Sequence, residues 1–149
     1  MGDQIVRVLW ADDDSRDALA VLATVLAMHG WTVDCVCSYT DGRAHLRNAR
    51  ESKLRYDALM IDAILPHTEP GSLGDFVGLT LARRACEDAD VEKVIFLTVV
   101  PRSMIGRDIE QLVADFPAIA FEYVHKLTLD SERSFKRLAE SVRGHGSVK

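Results

Sequence analysis

Short apolar runs alternate with helical patterns along the whole chain, and this alternation constrains the fold more than any other feature. A short apolar run between turn residues is typical of a strand that is buried on both faces of a parallel sheet. The predicted strands are Ile5–Leu9, Thr32–Cys37, Ala58–Ile61, Val94–Leu97 and Ala118–Val124. A segment with helical spacing of apolar residues follows each strand, and these segments end near Gly30, Ser52, Glu87, Phe116 and Gly144.

Strict alternation of strands and helices implies a parallel sheet with helices on both faces and right-handed crossovers. Five such units fit the doubly wound, flavodoxin-like strand order 2-1-3-4-5, whose switch point lies between the first and third strands. We therefore predict an α/β fold with a five-stranded parallel sheet. The 149 residues suffice for a single domain with a core from about 5 to 144. The short segment after Gly144 predicts that no output domain is attached.

Local signals refine two of the helices. Ser38 or Thr40 is expected to cap the second helix, and Gly30 is expected to end the first one. The fourth helix lies near Ser103–Phe116. Its residues expected in the core are Ile105, Ile109, Leu112, Val113 and Phe116.

Charge and composition argue against several classes of protein. The formal net charge is -5, and the three cysteines are an odd number that all lie in predicted core elements. Without a basic excess to neutralise phosphates, no nucleic acid is expected as a partner. No apolar run approaches the ~18 residues of a membrane span, and no secretory signal opens the chain. We therefore expect reduced thiols in a cytoplasmic protein that has no membrane partner.

Carboxylates follow the two strands that flank the switch point. Asp12 and Asp13 come after the first strand, and Asp62 comes directly after the third. If the three converge within ~5 Å, each pair repels by about 3 kcal/mol at an effective dielectric near 20. The sum of roughly 10 kcal/mol equals the whole stability of a typical domain. Lys126, just after the fifth strand, can supply one positive charge, and the remainder calls for a hard divalent cation with oxygen ligands, such as Mg²⁺.

A hydroxyl is expected at the same edge of the sheet, because Thr98 ends the fourth strand. Each of these groups alone has an ordinary structural explanation, such as ending a strand or capping a helix. Together, a metal pocket, a carboxylate, a hydroxyl and an ammonium suit phosphoryl transfer, in which positioning and charge neutralisation do most of the work.

The same motifs resemble those of the receiver domain of two-component response regulators, from about Ile5 to Gly144. The acidic pair is in VLWADDDS, the phosphoacceptor in YDALMIDAILP, the hydroxyl in KVIFLT and the lysine in EYVHK. The resemblance implies that Asp62 attacks the phosphorus of a phosphohistidine on a sensor kinase or a histidine phosphotransfer protein. It also implies that the domain catalyses its own phosphorylation and dephosphorylation without turning over a separate small molecule.

The resemblance further assigns roles to the residues around Asp62. Asp13, Asp62 and the backbone carbonyl of Ile64 would bind Mg²⁺, and Asp12 would act largely through water. Thr98 and Lys126 would hold the phosphoryl oxygens.

Signalling by protein contact is the last implication of the resemblance. Tyr123, three residues before Lys126, matches the aromatic residue that rotates together with Thr98 on phosphorylation. This switch lies on the face formed by the fourth helix, the fifth strand and the fifth helix. The same face is the expected surface for a downstream protein and for a homodimer.

Departures from the family pattern are expected to affect the site. Leu127 follows Lys126 where the family has a cis proline, which predicts a trans peptide and some displacement of Lys126. Val99 follows Thr98 in place of a small residue and is expected to narrow access to Asp62. The loop from His67 to Gly74 is longer than usual. The resemblance places Ile64 and Val100 at positions that tune hydrolysis of the acyl phosphate in the family. Both are apolar and cannot orient a water, which predicts a long-lived phosphorylated state.

Two alternatives stay open. The first is a Mg²⁺-dependent phosphohydrolase of the haloacid dehalogenase type, with Asp12 as nucleophile and Asp14 as acid/base. Asp14 suits the start of the following helix as a cap, which counts against this reading. The second is a receiver-like interaction module that no longer takes phosphate. The five retained groups count against it, whereas Val99 and Leu127 keep it open.

Overall fold

A computed structural model describes residues 6–12, 24, 26–28, 30–66, 77–126 and 137. The described residues form one parallel sheet in the order β2-β1-β3-β4-β5, with three helices. The strands are β1 (Val6–Ala11), β2 (Trp31–Val36), β3 (Ala58–Ile61), β4 (Lys93–Thr98) and β5 (Ala120–His125). The helices are α1 (Tyr39–Ser52), α2 (Val77–Glu87) and α3 (Arg102–Asp115). The predicted fold class and strand order are confirmed.

The observed bounds of β1 and β5 each differ from the predicted ones by one residue at one end and two at the other, and the change at β1 affects the site. The strand continues to Ala11, because Trp10 and Ala11 remain paired with β2 on one side and with β3 on the other. Asp12 therefore follows the strand directly. Gly30 has a φ of 90°, and its N–H donates to the Ala27 carbonyl at 3.1 Å, as expected for a glycine that ends a helix. Of the predicted first helix the structure describes only residues 24, 26–28 and 30, and of the last helix only Arg137; the other residues of both lie outside the described ranges.

The sheet separates two apolar clusters, because alternate residues of a strand point to opposite faces. One cluster packs against the three helices and includes Leu46, Leu81 and Ile105. The other lies on the opposite face and includes Trp10 and Leu26. Every residue of β3 and β4 is buried, which explains why their sequences read as continuous apolar runs.

Two predictions about the core are wrong. Val113 is 48% exposed, because the buried stripe of α3 runs through Ile105, Ile109 and Leu112 and Val113 lies about 40° outside its edge at Ile109. Cys37 and Cys86 are buried, but Cys35 is exposed. Cys35 is exposed because β2 is at the edge of the described sheet.

Polar contacts fix the helices on the sheet. Ser38 caps α1 by accepting a hydrogen bond from the Asp41 N–H at 3.2 Å, as predicted for one of the two candidate caps. The Arg50 guanidinium binds the buried Asp90 carboxylate through two nitrogens, each at 2.9 Å. Arg83 of α2 pairs with Asp115 of α3 at 2.9 Å. Among the helices in the described ranges, none has the length and apolar character needed to cross a membrane.

Candidate functional site

Two carboxylates lie side by side at the carboxyl ends of β1 and β3. Ala11 and Ile61, the last residues of these strands, are paired in register, and Asp12 and Asp62 follow them. The Asp62 N–H donates to the Ala11 carbonyl at 3.0 Å, and the Asp12 N–H donates to the Val36 carbonyl at 2.9 Å. The sheet ladder thus continues up to the two acids and fixes their backbones. Asp12 is fully buried and Asp62 is 7% exposed.

The carboxylate of Asp62 has a partner on each oxygen. The Thr98 hydroxyl donates to Oδ1 at 2.6 Å, and the Ile64 N–H donates to the same oxygen at 3.1 Å. The Lys126 ammonium lies 2.7 Å from Oδ2. These donors come from the end of β4, the turn after β3 and the end of β5, so three neighbouring strands converge on one side chain.

Lys126 also contacts the second acid, with its Nζ 2.8 Å from Asp12 Oδ2. Burial would lower the pKa of Lys126, but the charge of Asp12 and the hydrogen bonds to Asp12 and Asp62 raise it above its ordinary value. The ammonium therefore stays charged. One positive charge between two carboxylates leaves an excess of negative charge in a largely buried pocket.

A chain of contacts leads from Asp62 to the outer face of α3 and β5. The Val100 N–H donates to Thr98 Oγ1 at 3.2 Å, and the Tyr123 hydroxyl donates to the Val100 carbonyl. The Arg102 guanidinium lies over the Tyr123 ring at 5.9 Å from its centroid. Burial raises the pKa of Tyr123 although Arg102 opposes the shift, so the hydroxyl stays protonated and able to donate. The two residues predicted to form a switch, Thr98 and Tyr123, are thus joined through Val100.

The predicted metal ligands are only partly described. Asp12 and Asp62 lie together, whereas Asp13 is outside the described residues. Within the described ranges, no three His, Cys, Asp or Glu side chains form a group that could hold a metal ion. The donor chemistry nevertheless fits Mg²⁺, because two carboxylates share a single ammonium and hard oxygen donors are those that Mg²⁺ prefers.

Several predicted departures can be compared with the structure. Lys126 contacts both acids, so the expected displacement does not take its ammonium out of reach of Asp62. Val99 is exposed beside the site, as is Ile64. Leu127 and the loop from His67 to Gly74 lie outside the described residues.

Sequence reasoning missed two residues that contact the elements of the site. Gly78 at the start of α2 lies against the backbone of Asp62, and Arg102 lies over Tyr123. A glycine in the first turn of a predicted helix is a signal for close backbone approach. Nothing in the sequence marks Arg102.

Comparisons with known proteins bear on the fold. No protein-family model matches the chain, and no curated protein matches it either. A CheY-like response regulator receiver domain protein from Methanospirillum hungatei is similar in structure, with a TM-score of 0.65 and 19% identity over 95% of this chain and 96% of that one. A response regulator from Thermotoga maritima has a TM-score of 0.64 and 19% identity over 93% and 98% of the two chains.

A third similar structure is a response regulator receiver domain protein from Clostridium thermocellum, with a TM-score of 0.61 and 20% identity over 95% of this chain and 97% of that one. The chain therefore has the fold of receiver domains over nearly its whole length, and the fold implied by the resemblance of its motifs is confirmed. At this level of identity the likeness establishes the fold, and function has to be argued from the site.

Proposed function

We propose that the protein is a phosphoacceptor receiver domain in which Asp62 takes a phosphoryl group from a phosphohistidine of a sensor kinase or a histidine phosphotransfer protein. One observation carries the proposal. A single carboxylate at the end of the central strand is held between a hydroxyl and an ammonium, and a second buried carboxylate lies on the far side of the ammonium. This set of groups is suited to binding and neutralising a phosphoryl group.

In the proposed reaction an oxygen of Asp62 attacks the phosphorus and forms an acyl phosphate. The bond between phosphorus and the imidazole nitrogen breaks, and its electron pair remains on the partner's histidine. The Thr98 hydroxyl and the Lys126 ammonium, which now bind Asp62, would transfer their hydrogen bonds to phosphoryl oxygens. Mg²⁺ bound by Asp13, Asp62 and the Ile64 carbonyl, with Asp12 acting largely through water, would neutralise charge on the carboxylate and the incoming phosphoryl group.

The signal would leave the site through the chain of contacts that starts at Thr98. If the Thr98 hydroxyl moves to a phosphoryl oxygen, the Val100 N–H that binds it follows, and the Tyr123 hydroxyl on the Val100 carbonyl is affected in turn. Tyr123 lies on the face of α3 and β5. We therefore expect a downstream protein, or a second copy of the chain, to recognise the phosphorylated state on this face.

The geometry does not favour the phosphohydrolase alternative. Its nucleophile would be Asp12, whose side chain is fully buried with Oδ2 against Lys126. Asp62 is slightly more exposed and has the hydroxyl and the ammonium on its two oxygens. The proposal therefore assigns the phosphoryl group to Asp62 and includes no turnover of a separate small molecule.

The test measures binding of beryllofluoride with Mg²⁺ and labelling by acetyl phosphate. Wild type should bind and become labelled, whereas Asp62→Asn should do neither, because the amide is not a nucleophile. Asp57→Asn is a matched control, since it makes the same chemical change at the opposite end of β3. Asp57 accepts a hydrogen bond from the Arg7 N–H at 2.8 Å, which an asparagine oxygen can also accept.

Labelling of Asp12 in the wild type, or of Asp62→Asn, would contradict the proposal and support the phosphohydrolase. A wild type that takes up neither reagent would support the interaction module that does not use phosphate.

A further inference from the structure

Helix α2 begins in contact with the backbone of Asp62, and a glycine allows this approach. The Gly78 N–H donates to the Ala63 carbonyl at 3.1 Å. A Cβ atom at Gly78 would lie 1.9 Å from the carbonyl oxygen of Asp62 and 2.9 Å from that of Ala63. Both distances are shorter than real Cβ contacts, and backbone atoms cannot rotate away as the end of a side chain can. Any other residue at this position therefore requires the helix or the turn after β3 to move.

The helix is held in place on its other sides. Leu81, one turn beyond Gly78, is fully buried and packs against Gly42 of α1, where an added Cβ would lie 2.7 Å from Leu81 Cδ2. Arg83 ties the same helix to Asp115 of α3. Because α2 is held by packing on α1 and by the ion pair to α3, we expect the turn that contains Asp62 and Ile64 to shift instead.

The conformation of the turn after β3 determines the position of the Asp62 carboxylate. The Ile64 N–H donates to Asp62 Oδ1 at 3.1 Å, so the side chain of Asp62 is bound to the turn that its own backbone begins. The Thr98 hydroxyl binds the same oxygen at 2.6 Å. A shift of the turn would therefore change both hydrogen bonds to Oδ1, and it would also move the Ile64 carbonyl.

We propose that Gly78 is a positioning residue for the phosphoacceptor. Its lack of a side chain lets the start of α2 press against the turn after β3, and this contact holds the Asp62 carboxylate in line with Thr98 and Lys126. Gly78 itself touches no phosphoryl group. The inference rests on the proposed function of Asp62 and names a residue, remote in sequence, that the reaction depends on.

Three helical glycines make a matched test. An added Cβ meets backbone at Gly78, the flexible end of Leu81 at Gly42, and nothing within 4 Å at Gly106. The variants Gly78→Ala, Gly42→Ala and Gly106→Ala each add one methyl group to a helix. Gly42→Ala strains the packing of α1 on α2 without touching the turn, so it controls for loss of stability.

Two quantities are measured well below the unfolding temperature. The first is the rate of phosphorylation by acetyl phosphate with Mg²⁺. The second is amide hydrogen exchange of Ile64 in metal-free protein, which reports the hydrogen bond to Asp62 directly. We expect Gly78→Ala to be phosphorylated about 10- to 100-fold more slowly, as for a displacement near 1 Å, and to exchange the Ile64 amide faster. Gly42→Ala and Gly106→Ala should match the wild type in both.

If Gly78→Ala does not fold, Leu81→Ala tests the same contact by removing the fully buried side chain through which α2 packs against α1. Leu112→Ala, an equally buried leucine of α3, is its control. Leu81→Ala should raise the exchange rate of the Ile64 amide more than Leu112→Ala does after correction for stability.

The outcomes separate the two proposals. If the wild type cannot be phosphorylated, the proposed function is wrong. The rate of amide hydrogen exchange of Ile64 in Gly78→Ala still decides whether Gly78 positions Asp62. Unchanged exchange and unchanged phosphorylation in Gly78→Ala would overturn the positioning role. Effects no larger than those of Gly42→Ala would overturn it as well, because they would follow from stability alone.

Discussion

At the scale of single residues, Lys126 is the only cation that the described contacts place between Asp12 and Asp62. Its removal should therefore destabilise the protein. We expect Lys126→Met to lower the free energy of unfolding by about 3 kcal/mol, because truncating one partner leaves buried charges without compensation. Thermal unfolding at neutral pH measures the effect.

Magnesium provides the check on this explanation. Mg²⁺ should raise the unfolding temperature of Lys126→Met by more than that of wild type, since the cation can replace the lost ammonium between the carboxylates. An equal rise in both proteins would show that the two acids do not hold the ion. Met is close to Lys in volume, so lost packing should contribute little.

Residues of the site differ in how far the sequence could predict their placement. Asp12, Asp62 and Thr98 end neighbouring parallel strands, and topology alone brings such ends to one edge of a sheet. Gly78 could not be located in this way, because its contact with Asp62 depends on how tightly α2 packs. The link from Thr98 through Val100 to Tyr123 likewise depends on side-chain and turn geometry that no strand pattern contains.

At the scale of elements, α3 contains a glycine without a packing role. Nothing lies within 4 Å of the position that a Cβ of Gly106 would take, although the residue is inside the helix. Gly106→Ala should therefore stabilise the protein by about 0.5–1 kcal/mol, since glycine costs that much in a helix relative to alanine. Urea unfolding measures the change, and Gly42→Ala, where the methyl meets Leu81, should not show the gain. A loss of stability in Gly106→Ala would mean that α3 needs this glycine.

Element bounds were predictable where several signals agreed. The strand Ala58–Ile61 has the predicted bounds because its apolar run ends at a carboxylate, and α1 starts after Ser38 because a hydroxyl there caps it. Val113 was placed wrongly since helical spacing allows two neighbouring stripes, and only packing against the sheet selects one. The extension of β1 to Ala11 reflects pairing on both sides, which a single strand's sequence does not contain.

At the scale of the whole molecule, buried groups that favour their protonated form should limit stability at high pH. Burial raises the pKa of Cys86 to about 12, and burial together with the hydrogen bond to Asp34 raises the pKa of Tyr56. The thiol of an unfolded cysteine ionises at about pH 8.5, so as the pH rises the unfolded state loses the Cys86 proton before the folded state does. The contribution of these two groups to the free energy of unfolding should therefore be constant below about pH 8.5 and fall as the pH rises from there toward 12.

Chemical denaturation across this pH range tests the expectation. Cys86→Ala should show a shallower decline than wild type, because one of the titrating groups is gone. Cys35→Ala is the control, since its thiol is exposed and its removal should leave the slope unchanged. Parallel declines in all three proteins would exclude Cys86 as a cause.

Both oxygens of Asp62 already have hydrogen-bond partners, and this affects how the proposed phosphorylated form would differ from the unphosphorylated one. If Asp62 is the phosphoacceptor, as proposed, acquiring a phosphoryl group would be an exchange of hydrogen bonds that needs little reorganisation, because a hydroxyl and an ammonium are in place beforehand. A protein that distinguishes the two forms must then detect added charge and small displacements near Val100 and Tyr123. Such a partner protein should distinguish the phosphorylated from the unphosphorylated form by how closely its own surface fits the surface around Val100 and Tyr123.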